Sequence, residues 1–293
     1  MLAILLYIGR ICSLYRRIIK TSEIGGILLL DTAQMTVAQI TALLSEQEIS
    51  LETINRLKMD ARISVKRLID RWETHLRKAQ RERERIAALY EYERQLNYEG
   101  YSLVAGVDEA GRGPLAGPVM VAAVILPPDC YLPGLNDSKQ LTASQREKLY
   151  EEIKNTAIAV NRSAVSPEII DDINIYQATI RGMYSAIAGL LPVPQAVLID
   201  AVPLPELLIP WKSIISGDQV SASIAAASII AKVERDQIMN ELDRQYPRYG
   251  FSRHKGYGTQ EHMEALAKYG PCPYHRQSFA PVRAAAIATG YAG

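Results

Sequence analysis

The sequence predicts an α/β protein: a mixed sheet covered by helices, preceded by a helical N-terminal region. Three observations predict it. Up to about residue 95, charged residues accompany an apolar spacing of four; from Gly100, short Val- and Ala-rich runs flanked by Gly and Pro take over. After the third such run, the order becomes helix, strand, strand, helix.

The chain opens on "MLAILLYIGRICSLYRRIIK", whose apolar run is about half the length of a membrane span. Its basic residues Arg10, Arg16, Arg17 and Lys20 follow that run, the reverse of a secretory signal. No membrane partner is expected. Helical periodicity starts at Met35 in "MTVAQITALLSEQEIS", so residues 1–34 are expected to be an upstream extension, disordered or absent from the working protein.

Residues 35–98 are expected to form a helical region ending in a charged linker helix. Val65, Leu68, Trp72 and Leu76 mark one apolar stripe. Over 51–95 there are twelve Lys/Arg against eight Asp/Glu. The stretch "RKAQRERERIAALYEYERQ" has too narrow a stripe for a core and reads as a solvated linker. Arg77, Lys78, Arg81, Arg83 and Arg85 also allow an accessory nucleic-acid surface.

A catalytic domain is expected over 99–293. "YSLVAGVD", "PVMVAAVIL" and "TAIAVNRSAVS" read as strands, the first two buried. "IYQATIRGMYSAIAGLL" is a helix ended by Pro192 and Pro194; "AVLID" and "WKSIIS" are two more strands. "DQVSASIAAASIIAKVERDQIMNELDRQY" is a long helix whose small residues suit close packing on a sheet, and "TQEHMEALAKYG" a shorter one closed by Gly270. Lys232, Arg235 and Asp236 are expected to form a pair network on the long helix.

Net charge is +1, so a polyanionic partner is neither demanded nor excluded. Cys12, Cys130 and Cys272 are odd in number and far apart, which argues against a disulfide framework and fits a reducing cytoplasm. The four histidines, His75, His254, His262 and His275, lack zinc spacing.

The chemistry gathers around "GVDEAGRGPLAGPV". As a phosphate cradle it fails: Gly111, Gly113 and Gly117 are spaced one residue too far and lead into a strand, not a helix. Its acids are more informative. Asp108 and Glu109 end one apolar strand, Asp200 ends another, and Asp218 follows a third at the start of the long helix. The carboxyl ends of strands are the usual site of an α/β sheet. Carboxylates gathered there repel one another unless a cation joins them, and all-oxygen ligation suits a hard divalent ion. Asp108 and Glu109 point to opposite faces of a regular strand, so convergence calls for a break, which the glycines permit. Plainer readings stay open: Asp218 as an N-cap, Asp200 as a turn residue, and Asp108–Glu109 as a solvated strand end.

From Val104 to Phe279, "VAGVDEAGRGPLAGPVMVAAVIL", "LNDSKQLT", "LIDA", "GDQVSASIAAASIIAKVERD", "HKGYGT" and "HRQSF" resemble, in order, segments of the bacterial ribonuclease HII family. The resemblance implies a ribonuclease H-like fold with a five-stranded mixed sheet flanked by helices. It implies a monomeric endonuclease that cuts RNA/DNA hybrids and cuts 5′ to ribonucleotides embedded in duplex DNA, leaving 3′-OH and 5′-phosphate ends. Two ions of Mg²⁺ or Mn²⁺ are implied, held by Asp108, Glu109, Asp200 and Asp218. Gly111, Arg112 and Gly113 match the loop whose backbone contacts the 2′-OH, and Tyr257 matches a tyrosine that stacks on the following deoxyribose. Lys139 and Arg112 match phosphate contacts, while Asp137 shapes its turn. Ser216 departs from the family pattern, in which a lysine often precedes the Gly-Asp pair. Two rivals predict otherwise: another nuclease on this fold would cut all-DNA duplexes, and a binding protein would cut nothing.

Overall fold

The computed structural model describes residues 32–45 and 49–290. The expected extension over 1–34 lies outside the described residues, apart from a turn at 32–34. By internal packing the chain divides into two units, residues 1–81 and 82–293.

The first unit is helical. Helix α1 (Val37–Leu44) starts on a reciprocal capping box between Thr36 and Gln39, and α2 (Leu51–Lys58) starts on the Ser50 side chain. Helix α3 (Ile63–Ala88) begins here and continues into the second unit. Ile40, Leu43, Ile54, Leu57, Val65 and Ile69 bury together, with Leu68 and Trp72 packed on them. The Trp72 indole donates to the Leu44 carbonyl at 3.1 Å. Leu76 does not continue the stripe and is 43% exposed. Eight-residue helices are only about 12 Å long, shorter than the ~16 Å from Val65 to Leu76, so the cover runs out.

The second unit holds a five-stranded sheet in the order β3-β2-β1-β4-β5. The strands are β1 (Val104–Ala110), β2 (Val119–Ile125), β3 (Ala159–Val165), β4 (Ala196–Asp200) and β5 (Trp211–Ile214). β1–β2 and β2–β3 pair antiparallel, while β1–β4 and β4–β5 pair parallel, which makes the sheet mixed. Between and after them lie α4 (Glu91–Tyr98), α5 (Ala143–Thr156), α6 (Pro167–Ala188), α7 (Ala222–Gln245), α8 (Phe251–His254), α9 (Gln260–Tyr269) and α10 (Ala280–Thr289).

The strands' period of two sorts side chains into two cores. Met120, Ala122 and Val124 face Ala222, Ala225, Ala226 and Ile229 of α7 and Leu149 and Ile153 of α5. Ala105, Val107, Val121, Ala123, Val197 and Ile199 face Met183, Ala186 and Ile187 of α6. The small residues of α7 have the expected use: a Cβ on Gly106 would lie 2.0 Å from the Ser223 carbonyl carbon, so β1 and α7 meet backbone to backbone.

The charged linker is not solvated throughout. Ile86, Leu89 and Tyr90 are buried with the α7 core, so the end of α3 belongs to the second unit. Glu93 of α4 is also buried. Its Oε1 accepts from Ser221 Oγ (2.7 Å), Ser223 N (2.9 Å) and Ser223 Oγ (2.6 Å), capping the first turn of α7 from outside. Among the described residues, no helix is long and apolar enough to cross a membrane.

Candidate active site

The parallel ladder decides where the first acids sit. Val104–Val107 pair with Ala196–Ile199, so continuing the register by one places Asp108 beside Asp200 at the carboxyl ends of β1 and β4. Adjacent strands lie about 4.8 Å apart, and paired residues share a face. The break that the glycines permit does occur, but only after both acids, so it does not bring their side chains to one face. β1 stays regular to Ala110, with Glu109 opposite Val121, and breaks only at Gly111, where φ is +95°. Antiparallel pairing with β2 holds the strand straight through both acids. They meet electrostatically around the strand end rather than through a kink.

Asp218 is not a helix cap. It lies in a short 3₁₀ turn, Gly217–Gln219, and the N-cap of α7 is Ser221, whose side chain accepts from the Ile224 N–H. Nor is Asp200 an idle turn residue. Its Oδ1 accepts from Gly217 N at 2.7 Å, tying the β4 end to the turn that carries Asp218.

These carboxyl groups sit in a desolvated patch of like charge. Asp108 is 4% exposed; burial, then the Glu109 and Asp200 charges, hold its carboxyl well above the ordinary range. Burial also raises Glu109, against the pull of Arg112, whose Nη1 lies 3.4 Å from Glu109 Oε1. Burial, with Asp137 and Asp200 nearby, pushes Asp218 up to about 6. Glu109 Oε2 is buried without a hydrogen-bond partner. Among the described residues, no three acid, imidazole or thiol groups already surround one point as a closed ligand set.

Lys139 stands over this patch. Asp137 Oδ1 accepts from Lys139 N at 2.9 Å, the expected Asx-type turn, and Lys139 Nζ lies 3.8 Å from Asp218 Oδ2. Burial pulls the ammonium down, but the carboxylates of Asp218, Asp137, Asp108 and Asp200 outweigh it and raise it. The same turn is pinned from below by a 2.7 Å bond between the buried hydroxyls of Ser138 and Ser228. Ser228 also faces the Asp108 carboxyl and offsets part of its upward shift, so this α7 serine does more than pack.

The glycine loop forms the adjoining wall. Gly111 must be glycine for the chain's own sake: its φ is positive and an added Cβ would sit 1.9 Å from Arg235 Nε. At Gly113 the nearest atom to an added Cβ is Tyr257 Cε1, an ordinary contact at 3.8 Å. Tyr257 is 47% exposed, which excludes a core-packing role. Its backbone is held by a chain of neutral imidazoles. His262 Nδ1 donates to the Tyr257 carbonyl (2.9 Å), His275 Nε2 donates to His262 Nε2 (3.0 Å), and Cys272 N donates to His275 Nδ1 (2.9 Å). Burial keeps both rings uncharged, lowering His262 to about 4 and His275 to about 3.

Two buried arginines are the residues sequence reasoning missed. Arg235 does not join the Lys232–Asp236 pair (2.6 Å). Its guanidinium donates to the carbonyls of Pro118, Lys255 and Ala116 at 3.0–3.1 Å, because α7 turns it inward under the loop. Arg276, in "HRQSF", donates to the carbonyls of Gly117 (3.0 Å), Arg112 (2.8 Å) and Gly111 (2.6 Å). Nothing local in the sequence marks either arginine as buried, since the type is normally solvated.

The ribonuclease HII family model matches residues 105–282, and the model of the ribonuclease HII N-terminal domain matches 36–97. The chain belongs to the ribonuclease HII family. It is similar to ribonuclease HII of Bacillus mycoides, 50% identical over 253 residues that cover 85% of this chain and 97% of the relative. It is also similar to that of Bacillus cytotoxicus, 49% identical over 251 residues, 85% and 96% of the two chains. The fold resembles ribonuclease H2 of Pyrococcus horikoshii (TM-score 0.55, 26% identity, 64% of this chain and 99% of that one). It also resembles ribonuclease HII of Archaeoglobus fulgidus, solved as a complex with PCNA (TM-score 0.52, 28% identity, 60% and 95%). Family membership makes the chain a ribonuclease H, an endonuclease of RNA/DNA hybrids.

Proposed function

We propose that this ribonuclease HII also cuts duplex DNA containing a single ribonucleotide, on its 5′ side, leaving a 3′-hydroxyl and a 5′-phosphate. The observation that carries the reading is the placement of Gly113. It is open on the side of a half-exposed Tyr257 ring and lies a few residues beyond the acids of β1.

Asp108, Glu109, Asp200 and Asp218 would hold two divalent cations, Mg²⁺ or Mn²⁺. The donor set fits: all ligands are oxygens, the carboxyl groups are crowded and desolvated, and Glu109 Oε2 has no partner. Such ions, when bound, supply the Lewis acidity that makes water a nucleophile and neutralises the leaving 3′-oxygen. The chain's own residues do the rest. Lys139, over the acids, and Arg112, beside Glu109, offer positive charge to the backbone phosphates flanking the cut. The main chain at Gly111–Gly113 approaches the 2′-OH, the one group that separates RNA from DNA at a single position. Tyr257 presents a ring face to the next deoxyribose. A monomer in the cytoplasm suffices for this work, in keeping with the unpaired thiols of Cys130 and Cys272.

The test is a labelled duplex with one ribonucleotide beside an all-DNA control, with Mg²⁺, Mn²⁺ or chelator, and with product ends mapped. One metal-dependent cut 5′ to the ribonucleotide supports the reading. Cutting of the all-DNA control points to a less selective nuclease, and no cutting under any condition to a binding protein.

A further inference from the structure

We propose that Arg276 is a positioning residue that sets ribose discrimination, by turning two backbone N–H groups of the glycine loop toward the substrate. The proposal rests on the reading that this loop meets the 2′-OH.

The argument begins with the peptide bond. In a planar trans unit the N–H and C=O point in opposite directions. The Gly111 carbonyl shares its unit with the Arg112 N–H, and the Arg112 carbonyl shares its unit with the Gly113 N–H. Arg276 takes both carbonyls, at 2.6 and 2.8 Å, from a position with no solvent exposure. Both N–H groups are therefore directed away from the interior, at two exposed residues. Among the described residues, neither bonds an acceptor. Together they form a pair of donors on the open side of the loop, suited to a hydroxyl oxygen and without use for a ribose lacking one.

The clamp is itself held rigidly. Arg276 N donates to the Leu115 carbonyl at 2.9 Å. Asp171 of α6 accepts from Gln277 N (2.8 Å), Ser278 N (2.9 Å) and Ser278 Oγ (2.6 Å). The guanidinium rests over the Phe279 ring, 5.2 Å from its centroid. A planar fork with several donors can hold adjacent carbonyls at once, which an ammonium cannot do in the same geometry.

The experiment compares kcat/KM on two duplexes that differ at one sugar, a ribonucleotide or its 2′-deoxy-2′-fluoro analogue, whose fluorine is a poor acceptor. Arg276→Lys is expected to lower kcat/KM on the ribonucleotide duplex by about tenfold or more, the size of a lost, oriented hydrogen bond. On the fluoro duplex it should change by less than about threefold. Asp171→Asn, which loosens the clamp from behind, should give a smaller loss with the same preference. Equal losses on both duplexes, or none, would overturn the proposal. If Arg276→Lys does not fold, amide exchange on the wild type decides. The Arg112 and Gly113 N–H groups should exchange freely in the free enzyme and be protected by the ribonucleotide duplex, but not by all-DNA. Protection in the free enzyme, or equal protection by both duplexes, would refute it. Failure of the wild type to cut the ribonucleotide duplex would instead defeat the reading of function.

Discussion

The two glycines of the loop should respond oppositely to the same methyl group. At Gly111 an alanine must hold φ near +95°, which costs about 1–2 kcal/mol for a residue with a Cβ. The new carbon would also lie 1.9 Å from Arg235 Nε, so that side chain must move and release the Pro118, Lys255 and Ala116 carbonyls. One or two of these buried groups left unpaired add about 1–3 kcal/mol. Gly111→Ala is therefore expected to destabilise by roughly 2–5 kcal/mol, a large part of a domain's stability. Gly113→Ala meets only Tyr257 Cε1 at 3.8 Å and should change stability by less than about 1 kcal/mol. It should still impair cleavage of a single-ribonucleotide duplex, because the methyl group occupies the open side of the loop. Urea unfolding midpoints and initial cleavage rates give both numbers. A Gly113→Ala variant that folds normally and cuts at the wild-type rate would refute the loop's approach to the ribose; equal destabilisation by both changes would refute the steric argument.

Three further outcomes are expected. Because burial and neighbouring carboxylates raise Asp218 to about 6, the folded state holds a proton that the unfolded state has released. In metal-free protein that contribution to stability is present below about pH 4 and lost as pH rises through about 6. Asp218→Asn should thus become progressively more stable than wild type over that window, measured by urea unfolding in chelator; a difference that shrinks with pH would contradict the sign. Glu93→Ala strips the acceptor from Ser221 Oγ and from the N–H and hydroxyl of Ser223, and should cost about 2–3 kcal/mol, with Glu93→Gln recovering part of it. Tyr257→Ala should leave stability within about 0.5 kcal/mol, since the ring is half exposed, yet lower kcat/KM by roughly tenfold, while Tyr257→Phe should cut nearly normally.

The sequence announced the sheet better than its surroundings. Five runs became the five strands: in β1, β2 and β4, Val, Ala and Ile buried on both faces leave little else for those segments to be, while the edge strands β3 and β5 are only part-buried. Helix α5 is hard to read from sequence although Thr142 and Gln145 form a capping box, because its polar composition hides a stripe of only Leu149, Tyr150 and Ile153. The sequence predicts α6 from Ile175, and a helix segment does restart there, because Asn174 at φ 69° accepts from Tyr176 N and Gln177 N. The turns from Pro167 to that break lacked a long enough period to stand out. The linker's burial, the continuation of β1 through both acids, and the inward course of Arg235 and Arg276 all follow from tertiary packing. No local pattern carries them. The strand-end acids were legible as a group because three separate apolar runs ended in or near them, whereas the arginines that shape the loop beside them were not.

The most direct test of the carboxylate centre is calorimetric titration of Mn²⁺ into the chelator-treated enzyme and its Asp108→Asn variant, with cleavage of a single-ribonucleotide duplex followed on the same samples. Asp108 lies between Glu109 and Asp200, so its loss should weaken metal binding and abolish the cut together, while the fold survives with its unfolding midpoint unchanged or raised. A variant that binds Mn²⁺ as the wild type does, or that still cuts at a comparable rate, would contradict the assignment of this cluster as the catalytic metal site.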